Sequence, residues 1–213
     1  LGTGDRKQAN RYFSLFVYTA FSLGLLLAAA GAIWMRPIAA ALGAEGELLE
    51  NCVLYARINL LGLPFFVLQV MFQSFFVAAE KPHLGLAVTV SSGLTNMVLD
   101  AVLVLSLPQA QKLAGAAIAT AMSQFVGGVV PLFYFFRKNS SLLRLGKTRW
   151  DGKAILRACI NGSSEFMSTI SMSLVGILYN LQLMAYAGEN GIAAYGVMMY
   201  VSMIFSATFV GFT

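Results

Sequence analysis

Charge is absent from this chain over stretches long enough to cross a lipid bilayer. Residues 12–35, 58–79, 113–136 and 190–213 contain no Asp, Glu, Lys or Arg. Residues 82–111 and 158–188 contain one carboxylate each, Asp100 and Glu165. A spanning helix needs about 20 apolar residues. Hydrocarbon offers the backbone no hydrogen-bond partners, so a run of this kind must satisfy its own amides and carbonyls as a helix. The expected fold is all-α: a polytopic membrane bundle with six transmembrane helices in this chain. Composition agrees, with 58% hydrophobic and 11% charged residues, where soluble domains carry about 25% charge. A soluble enzyme is excluded on this ground.

The basic residues sort to one side of that bundle. Loops 1–11, 80–83 and 137–157 hold 11 of the 14 Lys and Arg residues. The opposite side receives Arg36, Arg57 and Lys112 together with Glu45, Glu47, Glu50 and Glu189. The positive-inside rule therefore places loops 1–11, 80–83 and 137–157 in the cytoplasm. The net charge of +5 then faces an anionic lipid leaflet, and no nucleic-acid partner is implied. Pro37 is expected to stop the first helix, Gly43 to break the outer loop, and Pro108 to end the third crossing. Glu80–Lys81–Pro82–His83 reads as a tight turn, with His83 a solvated loop histidine. Segment 140–157 mixes Leu142, Leu143, Leu145, Trp150, Ile155 and Leu156 with basic residues. It reads either as a short interfacial segment or as an ordinary linker. Cys52 and Cys159 fall on opposite sides of the membrane and are not expected to pair. The chain starts in a polar loop and stops as an apolar run finishes, so the missing remainder of a longer membrane chain is an expected partner.

Small and polar residues decide which way a membrane helix faces. Thr89, Ser92, Gly93, Asn96 and Asp100 share one face through spacings of three and four. An ionised carboxylate among Val98, Leu99, Val102 and Leu103 is costly unless something neutralises it. That is the chemistry of a proton or sodium site, with a structural interhelical hydrogen bond as the alternative. Ala116, Thr120, Ser123, Gly127 and Pro131 repeat the spacing on the next crossing, making Thr120 a candidate ligand beside Asn96 and Asp100. Gln69 and Gln73 are candidates for lining a water-filled cavity, or for packing between helices. Glu165 lies near the inner end of its crossing, placed to bind a cation or serve a gate, or to snorkel to water. Tyr179, Asn180, Met199 and Ser202 are further candidate cavity residues. No phosphate-binding glycine motif, Cys–x–x–Cys or metal-ligand cluster occurs, so no cofactor is expected beyond a coupling ion.

Several stretches resemble the multidrug and toxic compound extrusion (MATE) family. They are Leu1–Gly2–Thr3–Gly4–Asp5–Arg6–Lys7–Gln8–Ala9–Asn10, Leu42–Gly43–Ala44, Asn96–Met97–Val98–Leu99–Asp100, Gly115–Ala116–Ala117–Ile118–Ala119–Thr120, Asn161–Gly162–Ser163–Ser164–Glu165 and Ala193–Ala194–Tyr195–Gly196. The Asn-Gly-Ser-Ser-Glu stretch is similar to that of small prokaryotic exporters, which implies a prokaryotic plasma membrane. The resemblance implies twelve helices in two six-helix lobes, of which this chain matches the third to the eighth. Residues 1–138 would then belong to the N-terminal lobe, 139–157 to an inter-lobe linker and 158–213 to the C-terminal lobe. It further implies export of small organic cations in antiport with sodium ions or protons. Asn96 and Asp100 match the family's buried polar pair, with Thr120 as neighbour and a sodium ion or proton at Asp100. Glu165 falls where some members use a cation-binding acid. A lipid-linked precursor flippase of the same architecture and a non-transporting membrane scaffold are the alternatives. The flippase is disfavoured because the crossings hold almost no Arg or Lys.

Overall fold

The computed structural model describes residues 5–137 and 141–211, which form long helices, most of them joined by short turns. The first four are α1 (Arg6–Ala41), α2 (Gly46–Ala78), α3 (Pro82–Ser106) and α4 (Lys112–Phe136). A further helical stretch, Gly152–Gly211, is broken at Gly188, whose φ of 62° and ψ of −158° are not helical. Its two halves are α5 (Gly152–Gly188) and α6 (Asn190–Phe209), and all six helices are long and apolar enough to cross a membrane. No strand occurs among the described residues.

The helices overrun the charge-free stretches, for local reasons. Asp5 caps α1, its carboxylate accepting from the amides of Lys7 and Gln8 at 3.0 and 3.1 Å, so the helix begins well before residue 12. Pro37 does not stop α1, contrary to expectation, and the helix runs on to Ala41. Proline removes one backbone donor near the helix end, and the next turn is closed by a Schellman motif. There the amides of Gly43 and Ala44 donate to the carbonyls of Ala40 and Ala39 at 3.0 and 3.1 Å, with Gly43 at φ 93°. α2 ends the same way, with Glu80 at φ 58° and the amides of Glu80 and Lys81 donating to Val77 and Phe76. Pro82 then opens α3 at its first position. His83 consequently lies exposed in the first turn of α3 rather than in a loop. Pro108 follows the end of α3 as expected, and a 3-10 turn, Gln109–Gln111, leads into α4.

Residues up to Asp151 form one compact unit and those from Gly152 another. In the first, α2 packs between α1 and α4, and α3 packs chiefly on α4. Small residues set these approaches. A Cβ added at Gly24 would lie 3.0 Å from the Cα of Pro64, and one at Gly128 2.6 Å from the carbonyl oxygen of Phe65. Toward the turn of the α1–α2 hairpin, Arg57 Nε donates to the Ala32 carbonyl at 3.3 Å and Arg36 pairs with Glu50 at 2.6 Å on the surface.

At the opposite, basic end the unit is tied by an aromatic knot. Phe13, Phe72, Phe76 and Phe135 are buried there with Val17, Leu68 and Ala79. Phe13 meets Phe75 and Phe135 edge-on at 4.7 and 5.0 Å between ring centroids, and Phe72 stacks on Phe135 at 5.5 Å. Residues 141–151 are neither helical nor a loose linker. They form an extended strap whose Leu143 and Leu145 are buried in the knot. The Leu145 amide donates to the Phe135 carbonyl at 2.9 Å. The amides of Arg144 and Gly146 donate to Asn10 Oδ1 and Ser14 Oγ at 2.9 and 3.0 Å. The Thr148 hydroxyl donates to the Arg11 carbonyl at 2.9 Å. Helix α5 begins immediately afterwards, so residues 152–157 are helical.

The second unit is a helical hairpin. Tyr179 on α5 stacks on Tyr195 on α6 with centroids 5.4 Å apart. A straight helix would separate those positions by about 24 Å, so the chain reverses at Gly188. A Cβ at Gly191 would lie 3.5 Å from the carbonyl oxygen of Leu183, which a straight helix also forbids. Along α5 and α6 no described residue is buried. Large apolar side chains such as Leu61, Leu86 and Leu105 in the first unit and Met172 and Phe209 in the second are exposed, as suits a surface solvated by lipid.

Candidate functional site

The polar stripe of α3 divides into two halves with different chemistry. Its half nearer the basic end is cross-linked. Gln73 Nε2 donates to Thr89 Oγ1 at 3.1 Å, and that hydroxyl donates to the Gly85 carbonyl at 3.0 Å. Gln69 Nε2 lies 3.5 Å from Ser92 Oγ, which itself donates across to the Ser123 carbonyl of α4 at 2.7 Å. Gln69 also lies over Gly127, where a Cβ would collide with its amide. Gln69 and Gln73 thus both hydrogen-bond to α3, Gln69 half-buried and Gln73 exposed.

Beyond Ser92, α3 contributes no further buried residue. Asn96 and Asp100 are half-buried there. Asp100 Oδ1 is fully enclosed yet accepts no hydrogen bond; among the described residues Gln124 Oε1 is the other side-chain atom in that condition. An enclosed acceptor without a donor costs about 1–3 kcal/mol. A proton on the carboxyl, or a cation beside it, removes that cost.

Register fixes what surrounds Asp100. Ser92 is opposite Ser123, and Gly115 is against Leu103 and Leu107, so α3 and α4 run antiparallel. Thr120 is therefore level with Asn96, with Asp100 about one turn, or 6 Å, further along. The Thr120 hydroxyl donates to its own helix at the Ala116 carbonyl, 3.1 Å away. Its proton is committed, while its oxygen keeps lone pairs able to face a cation. Gln124, adjacent to Ser123, lies about 12 Å from Asp100 along the helix axis, so the two orphan oxygens mark separate positions. Gln124 is held over Gly62 between α2 and α4. It stands one turn after Thr120, and the i, i+4 spacing that singled out Thr120 points to it equally.

No group of three or more His, Cys, Asp or Glu side chains gathers among the described residues. A cation at Asp100 would draw its other ligands from neutral oxygens, of which Asn96 and Thr120 are the nearest in register. The enclosed, unpartnered carboxylate oxygen fits such an ion, and fits a proton equally.

The remaining candidates belong to the second unit. Glu165 is exposed on α5, where its backbone carbonyl accepts from the Thr169 hydroxyl at 2.9 Å. Asn180, Met199 and Ser202 are likewise exposed. Tyr179 stacks on Tyr195 and borders a shallow groove with Val175, Leu178 and Gln182. Cys52 and Cys159 are both free thiols.

These features define a multi-pass α-helical membrane protein with an ionisable group enclosed in a helix bundle. Residues 1–102 match the MatE family model. The chain is 31% identical to the multidrug export protein MepA of Staphylococcus haemolyticus (strain JCSC1435) over 198 residues, 92% of this chain and 43% of that protein. Against MepA of Staphylococcus aureus (strain bovine RF122 / ET3-1) it is 29% identical over 199 residues, with the same coverage. Its fold matches that of a solved structure described as the inward-facing conformation of a multidrug resistance MATE family transporter of the MOP superfamily. The TM-score is 0.83 at 21% identity, over 95% of this chain and 46% of that one. Sequence and fold are thus similar to those of the MATE family over most of this chain. The chain spans less than half the length of the relatives it matches.

Proposed function

We propose that the full-length protein is a secondary active transporter that exports small organic cations in antiport with sodium ions or protons, and that Asp100 is its coupling carboxylate. The observation that carries this reading is the enclosed Asp100 oxygen without a donor. A static scaffold gains nothing from keeping such a group in a membrane helix, whereas a coupling site must leave its acceptor open for the ion. The export proteins among the relatives support the substrate class. Binding of a proton or sodium ion at Asp100 neutralises the carboxylate and favours the state that releases substrate outside. Ion release inward restores the charge and with it the affinity for a cation. The cycle requires only that the ion bind the two states unequally. Asn96 and the Thr120 oxygen orient or share the ion. Sidedness follows the charge asymmetry, with loops 1–11, 80–83 and 137–157 in the cytoplasm of a prokaryote.

The test is uptake of a fluorescent organic cation into everted membrane vesicles holding the full-length protein, under a proton gradient and separately a sodium gradient. Gradient-driven uptake should fall by about tenfold or more in Asp100→Asn at equal membrane content. The gradient that drives the wild type names the ion. Coupled uptake retained in Asp100→Asn overturns the assignment, and no uptake under either gradient by folded wild type turns the reading toward a flippase.

A further inference from the structure

The strap does more than close the knot: it builds one wall of a groove on the outside of α1. Leu15, Tyr18, Thr19, Ser22, Leu23 and Leu26 form the helix wall, and Thr148 and Trp150 form the other, enclosing about 410 Å³. The volume suits a small-molecule or lipid-tail site. From Leu15 to Leu26 the groove follows α1 for about 16 Å, roughly half of the bilayer's hydrocarbon thickness. Its helix wall is largely apolar, with hydroxyls from Tyr18, Thr19 and Ser22, and Thr148, held at the Arg11 carbonyl, marks one mouth.

That mouth is cationic. Arg11 lies one turn before Leu15 on the same helical stripe, and its carbonyl holds Thr148. Lys147 and Arg149 flank Thr148 in the strap, and all three cations are exposed. Trp150 is 73% exposed at the same mouth, where an indole suits the boundary between headgroups and tails. A largely apolar trough half a bilayer long, an aromatic at its rim and three cations at its head together match one amphiphile. The geometry points to a binding site for an anionic phospholipid, with one acyl chain along α1 and the phosphate among Arg11, Lys147 and Arg149. Such a lipid would bridge α1 and the strap and so bind better when the strap is docked. The site requires only that these helices lie in a bilayer and is independent of the transport reading.

The test reconstitutes the full-length protein with phospholipids brominated on the acyl chains and reads quenching of Trp150 fluorescence, isolated by difference against Trp150→Phe. Brominated phosphatidylglycerol should quench Trp150 at about fivefold or more lower mole fraction than brominated phosphatidylcholine, about fivefold being the effect of a single basic contact to the headgroup. In the exposed triple variant Arg11→Gln/Lys147→Gln/Arg149→Gln, the two lipids should quench alike. Ser22→Phe, which fills the groove, should reduce quenching by phosphatidylglycerol to the phosphatidylcholine level. Equal quenching in the wild type, or a preference surviving the triple substitution, overturns the proposal. Quenching by neither lipid overturns it too, because protein then covers the groove.

Discussion

The two halves of α3 are built from the same kinds of residue and end in opposite conditions. Near the basic end, Thr89 and Ser92 spend their hydroxyls on Gly85 and Ser123 and take the amides of Gln73 and Gln69 in return. Eight residues on, Asp100 keeps an enclosed oxygen without a donor. Polarity in a membrane helix is therefore not by itself a mark of function. What separates the two ends of the stripe is whether the valence of each polar atom is already filled.

That contrast can be broken at either end. The largest effect belongs to the knot: Phe135→Ala should cost about 4 kcal/mol, read as a lowered unfolding temperature in detergent. A loss under about 1 kcal/mol would mean that the knot does not hold this end together. Gly128→Val comes next, because its side chain would meet the Phe65 backbone, which cannot swing aside. About 3 kcal/mol of destabilisation is expected, seen as loss of monodisperse protein after mild heating. At the other end the sign reverses. Asp100→Leu removes an unsatisfied acceptor and should stabilise the protein by about 1 kcal/mol while abolishing coupled transport. A destabilised Asp100→Leu protein would place Asp100 in the structural class with Ser92. Smallest is Glu80→Gly, which relieves a left-handed residue at the α2 cap and should raise stability by up to about 1 kcal/mol. Unchanged or lower stability would show the turn to be held by the Glu80 side chain.

The helices were legible because charge cannot be hidden in hydrocarbon, so its absence marks each crossing. Their ends were less so: Pro37 carries a helix-breaking signal, yet three backbone bonds beyond it close the helix at Gly43. Asp100 could be singled out because one acid in a charge-free run is conspicuous. The partners of Gln69 and Gln73 could not, since an amide facing a cavity and an amide facing a serine share one sequence signature. The strap is hard to read from sequence, although Leu143–Arg144–Leu145 alternates as an extended segment does. Its neighbours Lys147, Arg149 and Trp150 carry the composition of a membrane-surface segment, while the two leucines turn inward.

The strap also has a meaning in time. Asn10, Arg11 and Ser14 meet residues 144, 148 and 146, partners 134, 137 and 132 positions away in the chain. During synthesis, the first turns of α1 must wait for all four helices of their unit to emerge before these bonds can form. A chain interrupted before the strap lacks these bonds at the start of α1, although the α1–α2 contacts can already form. A feature that looks like a short connector is in this sense what ties the start of α1 to the end of α4, and an undocked strap is a segment open to quality-control proteases.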